Sequence, residues 1–170
     1  MMQGYVDALT TEIRKRATEY TDKKVVSVFF GGGTPTTLSI PMLEQLMAAV
    51  FECWDIAEDA EITTEANPGT LDREMAKEKK KMGFNRLSMG VQAWQNRLLK
   101  SLGRIHSIEV FQDNFKAVRE AGFENVNTDL MFALPNQTMA DWQETVKSIV
   151  AMNPEHISAY SLILEEGTPF

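Results

Sequence analysis

Five short runs rich in β-branched and apolar residues, each joined to the next through a helical pattern, leave few folds open to this chain. The runs are 25–30, 60–66, 85–91, 125–132 and 156–163. Strands that alternate with helices pair in parallel through right-handed crossovers, with the helices on the outer face of the sheet. A closed eight-stranded barrel takes about 250 residues, and this chain has 170. The expectation is therefore an α/β fold: a partial (β/α) barrel of the TIM type with about five strands, one domain over 1–170, truncated at both ends as the core of a longer protein. The chain opens in a helix whose apolar positions are Met2, Tyr5, Leu9, Ile13, Ala17 and Tyr20, with no strand pattern ahead of it.

Local signals place the helices. Ser39 caps a second helix with Pro41 in its first turn, and Leu43, Leu46, Met47, Val50, Phe51 and Trp54 form its stripe. Thr70 is expected to cap a third, with Asp72 and Glu74 at its positive end and Gly83 as its stop. Lys77 to Lys81 reads as a solvated face. A short helical piece falls near 95–101. Ser107 starts the next helix, closed by Gly122, and Thr138 and Asp141 have capping-box spacing for the last.

Charge and cysteine content exclude several function classes. The formal net charge is −7, which argues against non-specific binding to nucleic acid or anionic lipid. No apolar run approaches the roughly 20 residues of a membrane helix, and a cytoplasmic protein is expected. The one cysteine, Cys53, lies in a helical pattern and reads as a small core residue. A single thiol excludes a disulfide framework and any multi-cysteine metal or iron–sulfur site built within this chain. The ten methionines read mostly as core filling. His106 and His156 have no partner at metal-ligand or triad spacing and read as structural.

The first strand ends in Gly31-Gly32-Gly33-Thr34-Pro35. Three glycines at the carboxyl end of a strand expose backbone N–H and C=O groups to close approach, and in parallel α/β folds ligands sit at that end. No Gly-Lys-Ser/Thr follows at phosphate-loop spacing. The other strands deliver polar groups to the same end: Glu65, Gln92 and Asp129, with Arg104 in the loop after the third strand. Two carboxylates, an amide, a guanidinium and open backbone suit a zwitterion that also carries hydroxyls. Arg104 can fork a carboxylate, Glu65 and the glycine turn can take an ammonium, and Asp129 and Gln92 can hold ribose hydroxyls. Each also has a structural alternative: Glu65 and Asp129 as turn caps, Arg104 in a salt bridge, Gln92 on loop backbone.

Taken together, Phe30-Gly-Gly-Gly-Thr-Pro-Thr36, Glu65-Ala-Asn-Pro-Gly69, Arg86-Leu-Ser-Met-Gly-Val-Gln92, Leu102-Gly-Arg-Ile-His106, the stretch from Asp129 to Thr138 and His156-Ile-Ser-Ala-Tyr160 resemble, in order, the radical S-adenosylmethionine family of oxygen-independent coproporphyrinogen III oxidases and their heme-chaperone relatives. The resemblance implies a six-stranded partial barrel with S-adenosylmethionine at its mouth. Gly32, Gly33 and Thr34 match the turn around the methionine ammonium group and Glu65 a carboxylate beside it. Arg104 matches the partner of the methionine carboxylate, Gln92 and Asp129 the ribose contacts, and Ile163 a position flanking the adenine. The family's C-x-x-x-C-x-x-C loop, which binds a [4Fe–4S] cluster, has no counterpart in these residues. Radical cleavage is therefore not expected of this chain by itself, and the cluster is expected only in a full-length parent.

The segment from Ile157 to Phe170 resembles the heme-chaperone branch. Three functions follow as expectations: a coproporphyrinogen oxidase-like domain in porphyrin metabolism, a non-oxidase chaperone that binds and delivers heme, and an unrelated (β/α) enzyme. The first two imply a porphyrin or heme partner. The unpaired edge of the first strand implies self-association or marginal stability.

Overall fold

A computed structural model describes residues 2–167. Eleven elements follow one another: α1 (Met2–Ala17), β1 (Lys24–Phe30), α2 (Ile40–Cys53), β2 (Asp55–Ala66), α3 (Arg73–Lys81), β3 (Arg86–Gln92), α4 (Asn96–Ser101), α5 (Ile108–Glu120), β4 (Asn125–Phe132), α6 (Met139–Ala151) and β5 (His156–Ser161). A single 3-10 turn, Pro35–Thr37, lies between β1 and α2. The five strands form one sheet in the order β1-β2-β3-β4-β5, and every pair is parallel. Among the described residues the sheet has five strands, not the six that the resemblance implies.

The strand sequences alternate with period two, and the two faces differ in chemistry. Ile62, Leu87, Met89, Val91, Val126 and Leu130 point one way and are buried with Phe84, Phe111, Phe115, Val118 and Ile149 under the helices. The registers set Thr63 beside Arg86, Glu65 beside Ser88, Ser88 beside Asn127, Asn127 beside His156, and Asp129 beside Ser158. From β2 to β5 the concave face is therefore mostly polar, with Phe29 of β1, beside Thr63, an apolar exception at its edge. Barrel interiors are ordinarily filled by layers of branched aliphatic side chains; here that space is lined by hydrogen-bonding groups.

Several local expectations are corrected. The cap of α3 is Asp72, whose side chain accepts from Met75 N at 2.8 Å. Thr70 is engaged elsewhere, donating to the Asn67 carbonyl at 2.6 Å. Ser39 occupies the cap of α2 but makes no side-chain cap bond. β2 begins at Asp55, five residues early, and β5 stops at Ser161. The buried face of α1 is Val6, Thr10 and Ala17, while Met2 and Tyr5 are exposed and the helix ends before Tyr20. Phe51 is exposed on α2. Cys53, its last residue, is only half-buried. The methionines divide, Met47 and Met89 in the core and Met2 and Met139 in solvent. The Lys77–Lys81 run is not one solvated face: Lys79 is 0% exposed. Thr168, Pro169 and Phe170, part of the segment that resembles the chaperone branch, lie outside the described residues.

The capping box of α6 forms as expected and gathers more than its own helix. The Asp141 carboxylate accepts from Thr138 N and Thr138 Oγ1, both at 2.7 Å, and from Arg97 of α4 at 2.5 Å. These donors, the Thr138 N–H first, pull its pKa down from 3.8 to about 2. A carboxylate depressed in the folded state stabilises fully above its unfolded pKa, and that contribution is lost as pH falls through the folded value. Thermal stability is thus expected to drop between about pH 4 and about pH 2, and Asp141→Asn should flatten that part of the profile in calorimetric melts.

Candidate functional site

At the carboxyl ends of the strands a cavity of about 230 Å³ is lined by Gly33, Thr34, Glu65, Gln92, Arg104 and Asp129, together with Pro35, Ala66, Asn67, Ser88, Gly90 and Tyr160. Six of the eight residues singled out from the sequence therefore meet in one place. Gly32 sits just behind the wall, its backbone N–H donating to the Glu65 carboxylate. Ile163 lies beyond the end of β5, is 75% exposed and is not part of the lining.

The glycine turn has specific steric reasons. Gly32 holds φ at +89°, the left-handed region where other residues are strained. At Gly31 a Cβ would fall 3.2 Å from the Glu65 carboxyl carbon and 2.4 Å from the Phe29 ring. Only bare backbone lets the turn reach across to Glu65. Burial is the largest influence on Glu65 and raises its pKa; the Gly32 N–H opposes this, and the nearby negative charge of Asp129 adds to it. No cation contributes. Among the described residues, then, no ion pair neutralises this partly desolvated carboxylate.

Asn67 ties the rim together. Its Nδ2 donates to Thr34 Oγ1 at 3.2 Å, and its Oδ1 accepts from the Arg104 guanidinium at 3.3 Å. Arg104 spends one donor on this neutral amide, and among the described residues it is not paired with Glu65 or Asp129 as the salt-bridge alternative would have it. The sequence shows Asn67 only as a turn residue, and its bridging role needed the fold.

Gln92 ends β3 with φ at +70° and is 3% exposed. Its amide lies over Gly90, where a Cβ would stand 2.9 Å from Nε2. The Tyr160 hydroxyl donates to Gln92 Oε1 at 2.9 Å, which leaves Nε2 as the amide's donor. Asp129 accepts from Asn127 Nδ2 at 2.7 Å and from Ser88 Oγ at 3.2 Å. Tyr160, Ser88 and Asn127 were missed from the sequence, although they share strand parity with the polar residues that were found.

The histidines stay out of the cavity. His106 is buried, held to the Val91 carbonyl, and its pKa is lowered by burial, with a smaller contribution from Arg104. His156 lies at the opposite end of the concave face, its Nδ1 bonded to Asn127.

A curled sheet of parallel strands carrying a polar, mixed-charge cavity at its carboxyl ends defines a (β/α)-barrel-type domain whose strand ends form a ligand-sized site. The chain belongs to the Radical SAM superfamily, whose family model matches residues 3–149. It is 41% identical to the heme chaperone HemW of Synechocystis over 98% of this chain and 40% of that protein. It is 34% identical to the oxygen-independent coproporphyrinogen III oxidase of Salmonella typhimurium over 92% of this chain and 34% of that protein. The solved structure of coproporphyrinogen III oxidase (HemN) from Escherichia coli superposes with a TM-score of 0.87 at 33% identity, covering 95% of this chain and 37% of that one. The chain spans well under half the length of these relatives.

Membership implies S-adenosylmethionine and a [4Fe–4S] cluster as the family's cofactors. The cavity's donor set fits the first: an uncompensated carboxylate, a guanidinium with unused donors, and an acceptor beside an amide donor. The residues present do not fit the second. The chain holds one cysteine, and no group of three or more metal-ligating side chains occurs among the described residues.

No helix among the described residues is long and apolar enough to cross a membrane.

Proposed function

We propose that this chain is the S-adenosylmethionine-binding core of a longer protein of porphyrin or heme metabolism. The observation that carries the reading is the convergence of Glu65, Arg104, Gln92 and Asp129 with the Gly33–Thr34 backbone in one cavity. In this reading Glu65 and the glycine turn take the methionine ammonium, Arg104 takes the carboxylate, and Asp129 and Gln92 take the ribose hydroxyls. Ile163, well outside the lining, is left with at most a peripheral contact to the adenine. The sulfonium of the bound cofactor is the group that reductive cleavage would turn into a radical source, and that step needs thiolates that these residues do not supply.

Binding is tested by calorimetry with S-adenosylmethionine and with 5′-methylthioadenosine, which lacks the amino-acid end. Saturable binding of the first, weakened at least about tenfold in the second, is expected. Equal affinities would remove Glu65 and Arg104 from the role given them, and no binding of either would overturn the reading of this cavity as a cofactor site.

Between the two branches, the greater identity to heme chaperones supports a heme partner over oxidation of coproporphyrinogen. Heme retained by the full-length protein without turnover of coproporphyrinogen is the corresponding result. A cytoplasmic site of action goes with either branch. Self-association is part of the same proposal. Among the described residues β1 pairs only with β2, and Val26 and Phe29 are exposed along it. Sedimentation velocity should show a concentration-dependent dimer that Val26→Lys abolishes; a monomer at high concentration would count against it.

A further inference from the structure

The polar residues behind Asp129 form a chain with only one consistent proton arrangement. Asn127 is 2% exposed, and both ends of its amide are engaged. Its Nδ2 donates to Ser88 Oγ and to Asp129 Oδ1, each at 2.7 Å. Its Oδ1 faces Ser158 Oγ at 3.1 Å and His156 Nδ1 at 2.5 Å. An amide oxygen only accepts, so His156 must carry its proton on Nδ1. Ser88, accepting from Asn127, has its own hydrogen to give to Asp129 Oδ2 at 3.2 Å. Every hydrogen in the chain thus points from the base of the concave face toward Asp129. Turning the Asn127 amide over would set its oxygen 2.7 Å from the Asp129 carboxylate, two acceptors with no hydrogen between them, so the Asp129 contact fixes the amide's orientation.

We infer that Asn127, itself held by His156 and Ser158, is a positioning residue that fixes Asp129 as a double acceptor for a vicinal diol. One donor behind each carboxylate oxygen aligns the group and leaves its outward lone pairs to the cavity. A ligand that presents hydroxyl hydrogens there is favoured, and one without them leaves a desolvated carboxylate unpaired. The inference rests on the reading of the cavity as an S-adenosylmethionine site.

The test compares calorimetric affinities for S-adenosylmethionine and its 2′,3′-dideoxy counterpart. Wild type should prefer the ribose form by at least about tenfold. Asn127→Ala should collapse that preference to within about threefold while binding the dideoxy ligand as wild type does. A merely structural role would weaken both ligands alike. An unchanged preference in a variant that melts like wild type overturns the inference. Should Asn127→Ala not fold, His156→Ala at the exposed base decides: the preference should fall about threefold, and an unchanged one overturns it. Wild type that binds neither ligand overturns the cavity reading and the inference with it; wild type that binds both equally removes Asp129 from diol recognition and sinks the inference alone.

Discussion

Glu65→Gln is expected to weaken S-adenosylmethionine binding about 100-fold, because truncating one member of a partly buried charge pair strands the other. Burial raises the Glu65 pKa, with Asp129 adding to the effect and the Gly32 N–H opposing it, and no cation among the described residues lowers it. An arriving ammonium supplies the missing charge. The carboxylate must be ionised to receive it, so affinity is full at neutral pH and falls on acidification. Since the pKa of the unliganded protein is raised, the fall begins at a higher pH than for an ordinary glutamate. Glutamine at this position should give weak binding with no such pH dependence. Calorimetric titrations from neutral to mildly acidic pH read both effects, and a wild-type affinity that does not change over that range would contradict the role.

Phe84→Ala is expected to cost about 3–5 kcal/mol of folding stability, the range for removing a large aromatic side chain from a packed core. Phe84 is 0% exposed and meets Phe30 edge-on at 5.1 Å. Its ring also faces the Lys79 ammonium at 5.3 Å. That ammonium is buried without a hydrogen-bond partner, and burial lowers its pKa from 10.5 to about 8. Removing the ring takes away its cation–π partner as well as the packing. Lys79→Met should act in the opposite sense and raise stability by about 1–3 kcal/mol near neutral pH, since no charge is then buried. In wild type the folded state holds this proton less tightly than the unfolded chain does. Stability contributed at this position therefore rises with pH from about 8 toward 10.5. Chemical denaturation of the three proteins compares these directly.

Much of the architecture was legible because periodicity and punctuation agree along most of the chain. The 125–132 strand pattern corresponds to β4 residue for residue, and the Thr138–Asp141 box starts α6 as its spacing implies. Where local signals competed, the sequence could not arbitrate. Thr70 and Asp72 both have capping chemistry, and the choice was made by the Asn67 carbonyl and Thr36, thirty-four residues away in sequence, which hold the Thr70 hydroxyl. Lys79 looked solvated beside four charged neighbours, and only the packing of α3 over the Phe84 ring buries it.

The cavity was legible for another reason: in a parallel sheet the strand ends converge wherever the strands pair in order. Glu65, Gln92 and Asp129 could be placed from that rule alone. The supporting chain of Ser88, Asn127, His156 and Ser158 also lay in the sequence, as period-two alternation with Leu87, Val126 and Ile157. Barrel interiors are ordinarily filled by branched aliphatic side chains, so that alternation does not by itself mark a polar lining. Asn67 carried no such signal, since its partners Thr34 and Arg104 come from two different loops.

A crystal structure of the chain with S-adenosylmethionine tests the central claim most directly. The account predicts one molecule in the cavity, its ammonium about 3 Å from the Glu65 carboxylate, its carboxylate on Arg104 and its ribose hydroxyls on Asp129 and Gln92. A molecule bound in the reverse orientation, or outside this cavity, would contradict it.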